Sequence, residues 1–173
     1  MLQQNTIKDA IKEYLTAYKQ AGYSNHTVEK YGVHLENLAI WLAERDITQL
    51  EQLNKAILRE WGASLHDIES PRTKKGWAPA TIKQAVCSVR SFLTWCLEDD
   101  LIDYALANAL KIPKVEETMQ RTLDIKEAQQ IINSYDDGTV MGIRNCALFS
   151  LMIDSGLRSA EVCRVQVADL QFG

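Results

Sequence analysis

No stretch of this 173-residue sequence approaches the ~20 consecutive apolar residues that a membrane span needs. The opening residues MLQQNTIKDA lack a signal-peptide pattern, so a cytoplasmic protein without a membrane partner is expected. There is no C-x-x-C pair, and Cys87, Cys96, Cys146 and Cys163 have no histidine close by in sequence. Each cysteine sits in an apolar helical pattern, so reduced, buried thiols are expected, with no bound metal and no cofactor. Internal repeats and low-complexity tracts are also missing. What is present is ordinary for a globular protein of one or two small domains: 46% apolar and 24% charged residues.

Net charge is −4, a mild argument against a polyanionic partner. The average conceals an asymmetry. Between Ser70 and Leu97 lie five basic residues (Arg72, Lys74, Lys75, Lys83, Arg90) and no acidic one, followed at once by Glu98, Asp99 and Asp100. A basic segment inside an acidic chain points to a polyanion more strongly than the net charge points away.

The apolar pattern is helical almost throughout. Thr6 can cap a first helix carrying Ile7, Ala10, Ile11, Tyr14, Leu15 and Tyr18. Ser24 can cap a second, with Val28, Tyr31, Leu35, Leu38 and Leu42 on one stripe. A third is expected over 54–65, carrying Ile57, Leu58, Trp61 and Leu65. HDIESPRTKKGWA has turn formers and no apolar period, so a loop is expected there. Pro79 suits the first turn of a fourth helix, buried through Ile82, Val86, Val89, Leu93 and Cys96. A short fifth covers 104–110. The polar stretch KIPKVEETMQR reads as a linker. Beyond it, Asp124 and Glu127 form a capping-box start for a helix reaching about Ser134, and YDDG is a turn. Helices over 142–154 and 159–165 follow, and the closing QVADLQFG alternates like the start of a strand.

The segment DSGLRSAEV, Asp154 to Val162, carries the chemistry. An apolar run, CALFSLMI, leads to a Ser-Gly break, then Arg158, then Glu161. Read alone, Gly156 caps a helix in the left-handed conformation and Arg158 is a surface residue. Residues Arg144 to Leu170 resemble the first conserved box of the tyrosine recombinases, or phage integrases. In that box an apolar helix meets T-G-L-R, one residue, S-E-L and a later aspartate. Gly156, Leu157, Arg158, Glu161 and Asp169 fall on those places, with Ser155 and Ala160 where threonine and serine are usual. SNHTVEKYGVHLENLAIWL is similar to the family's S-x-x-T-x-x-x-Y-x-x-x-L helix. APATIKQAVCSVRSFLTWCLEDDLIDYALAN is similar to its T-I-x-x-x-x-S-x-x-R-x-F helix, although YALAN departs from the usual Asn-Pro.

The resemblance implies an all-α chain: a SAM-like helical core-binding domain over 1–112, a linker over 113–121, and the first helices of an α+β catalytic domain over 122–173. It implies double-stranded DNA as partner, sister protomers in the full-length parent, and strand cleavage through a 3′-phosphotyrosine. Arg158 becomes the catalytic arginine, whose planar guanidinium can donate paired hydrogen bonds to a phosphate. Gly156 and Glu161 support its turn. DNA contacts are expected from His26, Thr27 and Lys30 on the second helix, where His34 shares their polar face. Lys74 and Lys75 in the loop, and Lys83 and Arg90 on the fourth helix, complete the set. The family's lysine, His-x-x-Arg box and tyrosine nucleophile follow the first box. His26, His34 and His66 all precede Arg158, and Tyr135 lies in a turn before it. The chain is therefore expected to be an N-terminal fragment that binds DNA without cutting it. Two alternatives stay open: a truncated regulatory paralogue, or a helical protein-interaction module using Trp41, Trp61 and leucine stripes as a groove.

Overall fold

A computed structural model describes residues 6–69, 75–116 and 121–169. Among these, every regular element is helical, and none is long and apolar enough to cross a membrane. The chain divides into two units, residues 1–117 and 118–173.

The first unit begins with α1 (Ile7–Gln20) and α2 (Asn25–Ala43). Both starts follow from side-chain caps: the Thr6 hydroxyl accepts from the Asp9 N–H and the Ser24 hydroxyl from the Thr27 N–H, as the sequence predicts. Between α2 and α3 (Lys55–Ser64), a short 3₁₀ turn, Leu50–Gln52, is held by Gln52 Oε1, which accepts from the Thr48 and Gln49 N–H groups at 2.8 and 2.9 Å. Asn54 caps α3. Proline stands in the first turn of α4 (Pro79–Glu98), where its missing N–H costs nothing. The expected fifth helix is shorter: α5 is Tyr104–Ala107, and Ala109 and Leu110 are buried outside it.

Helices α1, α2 and α4 pack on one another, and α5 on α4. Their shared core contains Tyr14, Leu35, Leu38, Leu42, Leu58, Trp61, Val89, Phe92 and Leu93, each at most 1% exposed. Trp61 is thus in the core and not on a groove for a partner helix. Trp41 lies under the Arg45 guanidinium, 3.7 Å from the ring centre. The 66–78 loop is more ordered at its base than its composition suggests. Glu69 and Gly76 form an isolated antiparallel bridge, and the Trp77 N–H donates to the Ile68 carbonyl at 3.1 Å.

The second unit contains α6 (Ile125–Asn133), α7 (Val140–Ser155) and α8 (Ser159–Val162). The expected capping box is present: the Glu127 N–H donates to Asp124, and the Asp124 N–H to Glu127. Two expectations need correction. The helix over 159–165 stops at Val162. The anticipated strand is a 3₁₀ turn at Val167–Asp169, because the Asp169 carboxylate captures the Gln166 N–H at 2.9 Å and, among the described residues, no strand lies beside it to compete. The last four residues of that expected strand, 170–173, lie outside the described residues.

The thiol expectation also needs revision. All four cysteines are free, but only Cys96 is buried; Cys87 and Cys146 are half-buried and Cys163 is exposed. Cys163 immediately follows α8, whose single turn buries only Val162.

Candidate nucleic-acid interface and arginine turn

The arginine turn is built by two helix ends. α7 closes on Gly156 in the left-handed conformation, φ 66° and ψ 18°, a geometry that costs glycine nothing and other residues strain. Two residues later, Arg158 has returned to extended backbone and serves as the N-terminal flanking residue of α8. Glu161 accepts from the Arg158 N–H at 2.7 Å and from its Nη1 at 3.1 Å. The arginine side chain remains 84% exposed. A guanidinium has five N–H donors, so this brace leaves most of them free for an anion. Among the described residues no group of histidine, cysteine or carboxylate side chains is arranged to hold a metal.

CALFSLMI looks like a buried helix in sequence, yet only Gly142 of α7 is buried, while Val140, Met141, Ile143, Leu148 and Ile153 are exposed. A helix apolar on all sides needs cover on all sides. The described part of this unit offers α6 and α8 alone.

The basic candidates lie on the first unit. Lys83 is exposed and Arg90 half-buried on α4, seven residues apart and so on one face. On α2, His26 and Lys30 are exposed. Thr27 is half-buried, and its hydroxyl shares a 2.9 Å hydrogen bond with the Ser24 hydroxyl, which ties it to the helix cap. Lys75 is exposed at the base of the loop, whereas Lys74 lies outside the described residues.

His34 corrects the sequence reading. It does not share the polar face; it is buried, with Trp77 edge-on to its ring at a centroid distance of 5.9 Å. Its Nδ1 has no hydrogen-bond partner. Burial, and then the nearby Lys30 charge, hold its pKa below the usual value, so the imidazole is neutral at pH 7. The contact seats the end of the lysine-bearing loop against α2. Two signals pointed to it: His34 lies three residues after Tyr31 and four before Leu38, at the edge of the apolar stripe, and Trp77 is a large aromatic in a segment otherwise without apolar residues at helical spacing.

Residues 11–99 match the profile of the phage integrase N-terminal SAM-like domain. The chain is 29% identical over 149 residues to a tyrosine recombinase XerC of Xanthomonas campestris, covering 86% of this chain and 44% of that protein. It is 28% identical over 151 residues to a tyrosine recombinase XerC of Myxococcus xanthus, covering 87% and 48%. The chain thus spans about half the length of these relatives. In fold it is similar to the crystallised N-terminal domain of a phage integrase/site-specific recombinase from Haloarcula marismortui. That similarity has a TM-score of 0.53 at 22% identity, over 62% of this chain and 96% of that one.

Proposed function

The chain belongs to the phage integrase N-terminal SAM-like domain family, and from that premise we propose that it is the DNA-holding part of a site-specific tyrosine recombinase. In this reading residues 1–112 are the core-binding domain, 113–121 the linker, and 122–173 the first part of the catalytic domain. Double-stranded DNA is the partner, sister protomers assemble on it, and the protein works in the cytoplasm.

The observation that carries the reading is the exposed Arg158 guanidinium, braced by Glu161 just past the Gly156 turn. In the proposed reaction a tyrosine oxygen attacks a DNA phosphorus and the 5′-oxygen leaves with a proton, giving a 3′-phosphotyrosine. A second strand's 5′-hydroxyl reverses the step. Charge grows on the non-bridging oxygens as the phosphorus becomes five-coordinate, and Arg158 donates N–H groups toward them. A donor held in place beforehand needs no reorganisation at that moment, and losing one costs about 2.7–4 kcal/mol of transition-state stabilisation. Glu161 is a positioning residue.

On the first unit, Lys83, Arg90, Lys30, His26, Thr27, Lys74 and Lys75 meet the duplex. Cationic contacts to phosphate give affinity without reading sequence. Arg158 cannot act as a nucleophile, since its guanidinium has no usable lone pair at neutral pH. The reading therefore has two parts: this chain holds DNA, and it does not form a covalent adduct. A mobility-shift titration over a salt series tests the first. A nicked suicide substrate, run on a denaturing gel, tests the second. Absence of a shift at low salt overturns DNA holding, and a covalent band overturns the assignment of chemistry to residues elsewhere.

A further inference from the structure

We propose that the cleft between α1 and α4 is a binding site for a cationic side chain, an arginine or lysine presented by a partner polypeptide. The cleft has a volume of about 390 Å³ and is lined chiefly by Tyr14, Tyr18, Tyr23, Ser91, Trp95 and Glu98. The inference uses no part of the recombinase reading.

Its walls are aromatic and held in place. Tyr18 lies between two other rings, stacked on Tyr23 at 3.8 Å with 5° between planes and on Tyr31 at 5.1 Å. Tyr14 contacts Tyr18 at 5.1 Å and Trp95 at 5.9 Å, and meets Phe92 edge-on. The Tyr14 hydroxyl donates to Ser91 Oγ at 2.9 Å, which fixes α1 against α4. Burial pushes the pKa of that hydroxyl up, so it stays a neutral donor. With both faces of Tyr18 covered, an occupant would meet Tyr23, which is 48% exposed, and Trp95.

The charge around these rings selects the occupant. Glu98 lines the cleft, is exposed, and forms no ion pair among the described residues; Asp99 and Asp100 follow it in sequence. No basic side chain is among the lining residues. Aromatic faces carry negative electrostatic potential and attract cations, and a carboxylate beside them adds to it. A purely apolar occupant would desolvate Glu98 and the hydroxyls with nothing in return. Nucleobases also stack on aromatics, but their phosphates would be repelled by the Glu98 carboxylate that lines the cleft. A guanidinium or ammonium satisfies the rings and Glu98 together.

The test uses the intact chain and a capped arginine–glycine–arginine tripeptide, followed by NMR. The expected result is saturable shifts at Tyr18, Tyr23, Trp95 and Glu98. The same peptide with citrulline, the neutral isostere of arginine, should bind at least about fivefold more weakly. Tyr23→Leu and Glu98→Gln, both at exposed positions and checked for native circular dichroism, should each weaken binding about threefold to fivefold. Absence of saturable shifts overturns the site. So does equal binding of the citrulline peptide, or binding unchanged in both variants. Displacement of the tripeptide by duplex DNA would reassign the cleft to nucleic acid and likewise overturn the proposal.

Discussion

Glu161 receives two hydrogen bonds from Arg158, one from its backbone N–H at 2.7 Å and one from its guanidinium at 3.1 Å. The pair is exposed, 84% on the arginine side and 45% on the glutamate side, so water and salt screen it and it adds little to stability. Its consequence is orientation: the same carboxylate that starts α8 holds one edge of the guanidinium, and the turn and the side chain move together.

In a chain extended to the length of the XerC relatives, Arg158→Ala should lower strand cleavage on a suicide substrate by about 10²–10³-fold. Filter binding of the same DNA should change by no more than about twofold, because other phosphate contacts supply most of the affinity. Arg158→Lys should fail nearly as badly, since a point charge lacks the planar fork. Glu161→Ala should have a smaller effect, partly rescued by Glu161→Gln, whose amide oxygen still accepts. Near-normal cleavage by Arg158→Ala would make the arginine a surface residue.

Gly156→Ala should destabilise the second unit by about 1 kcal/mol through backbone strain alone. A Cβ there meets nothing within 4 Å, while φ is +66°. Asn, which tolerates this conformation, should be milder than Ala. Thermal melts of the three proteins decide; equal stability of Ala and Gly would show that the turn relaxes.

Duplex binding should weaken steeply with salt, by roughly 0.9 log units of affinity per log unit of salt for each phosphate neutralised. Replacing Lys83 and Arg90 together with alanine should reduce the slope by about 2. A slope that does not move would place the DNA face elsewhere on the helical unit.

Amide exchange should differ on the two sides of residue 117. The buried hydrophobic core lies almost wholly in the first unit; among the described residues the second contributes only Ala128 and Val162. Amides of α1, α2 and α4 should exchange only by global unfolding, and those of α7 by local opening. Trp61→Ala, which removes a side chain with 0% exposure, should cost about 3–5 kcal/mol. Equal protection in α4 and α7 would contradict this account.

The buried His34 makes stability depend on pH. Its pKa lies below the usual value in the folded chain and returns to it on unfolding, so the unfolded state binds the proton first as pH falls. Stability from this group is therefore complete above about pH 6.5 and is lost as pH falls toward its folded value. The melting temperature of the wild-type chain should drop between pH 7.5 and 5.5 by more than that of His34→Leu. Parallel drops would remove His34 as the source.

What the sequence determined by itself were the features that local chemistry controls. Thr6, Ser24, Asn54 and Asp124 start helices because a side-chain oxygen within three residues satisfies an orphan N–H, and Gly156 ends one because it alone takes positive φ freely. The apolar stripes of α1, α2 and α4 were legible because 3.6-residue spacing gathers them on one face. Tertiary structure decided whatever depends on what lies opposite. His34 stands at the edge of the apolar stripe, four residues before Leu38, and Trp77 from a loop far along the chain packs edge-on against it. CALFSLMI is apolar, but apolarity is a demand for cover and not a guarantee of it: Phe149, Leu151 and Met152 are only half-buried and Leu148 and Ile153 stay exposed. Tyr14 and Tyr18 are neighbours along α1 by helical spacing, but Tyr31 reaches Tyr18 only because α2 packs on α1, and Phe92 and Trp95 reach Tyr14 only because α4 does. Caps and turns act over a few residues along the chain, whereas burial, stacking and clefts are set between segments far apart in it.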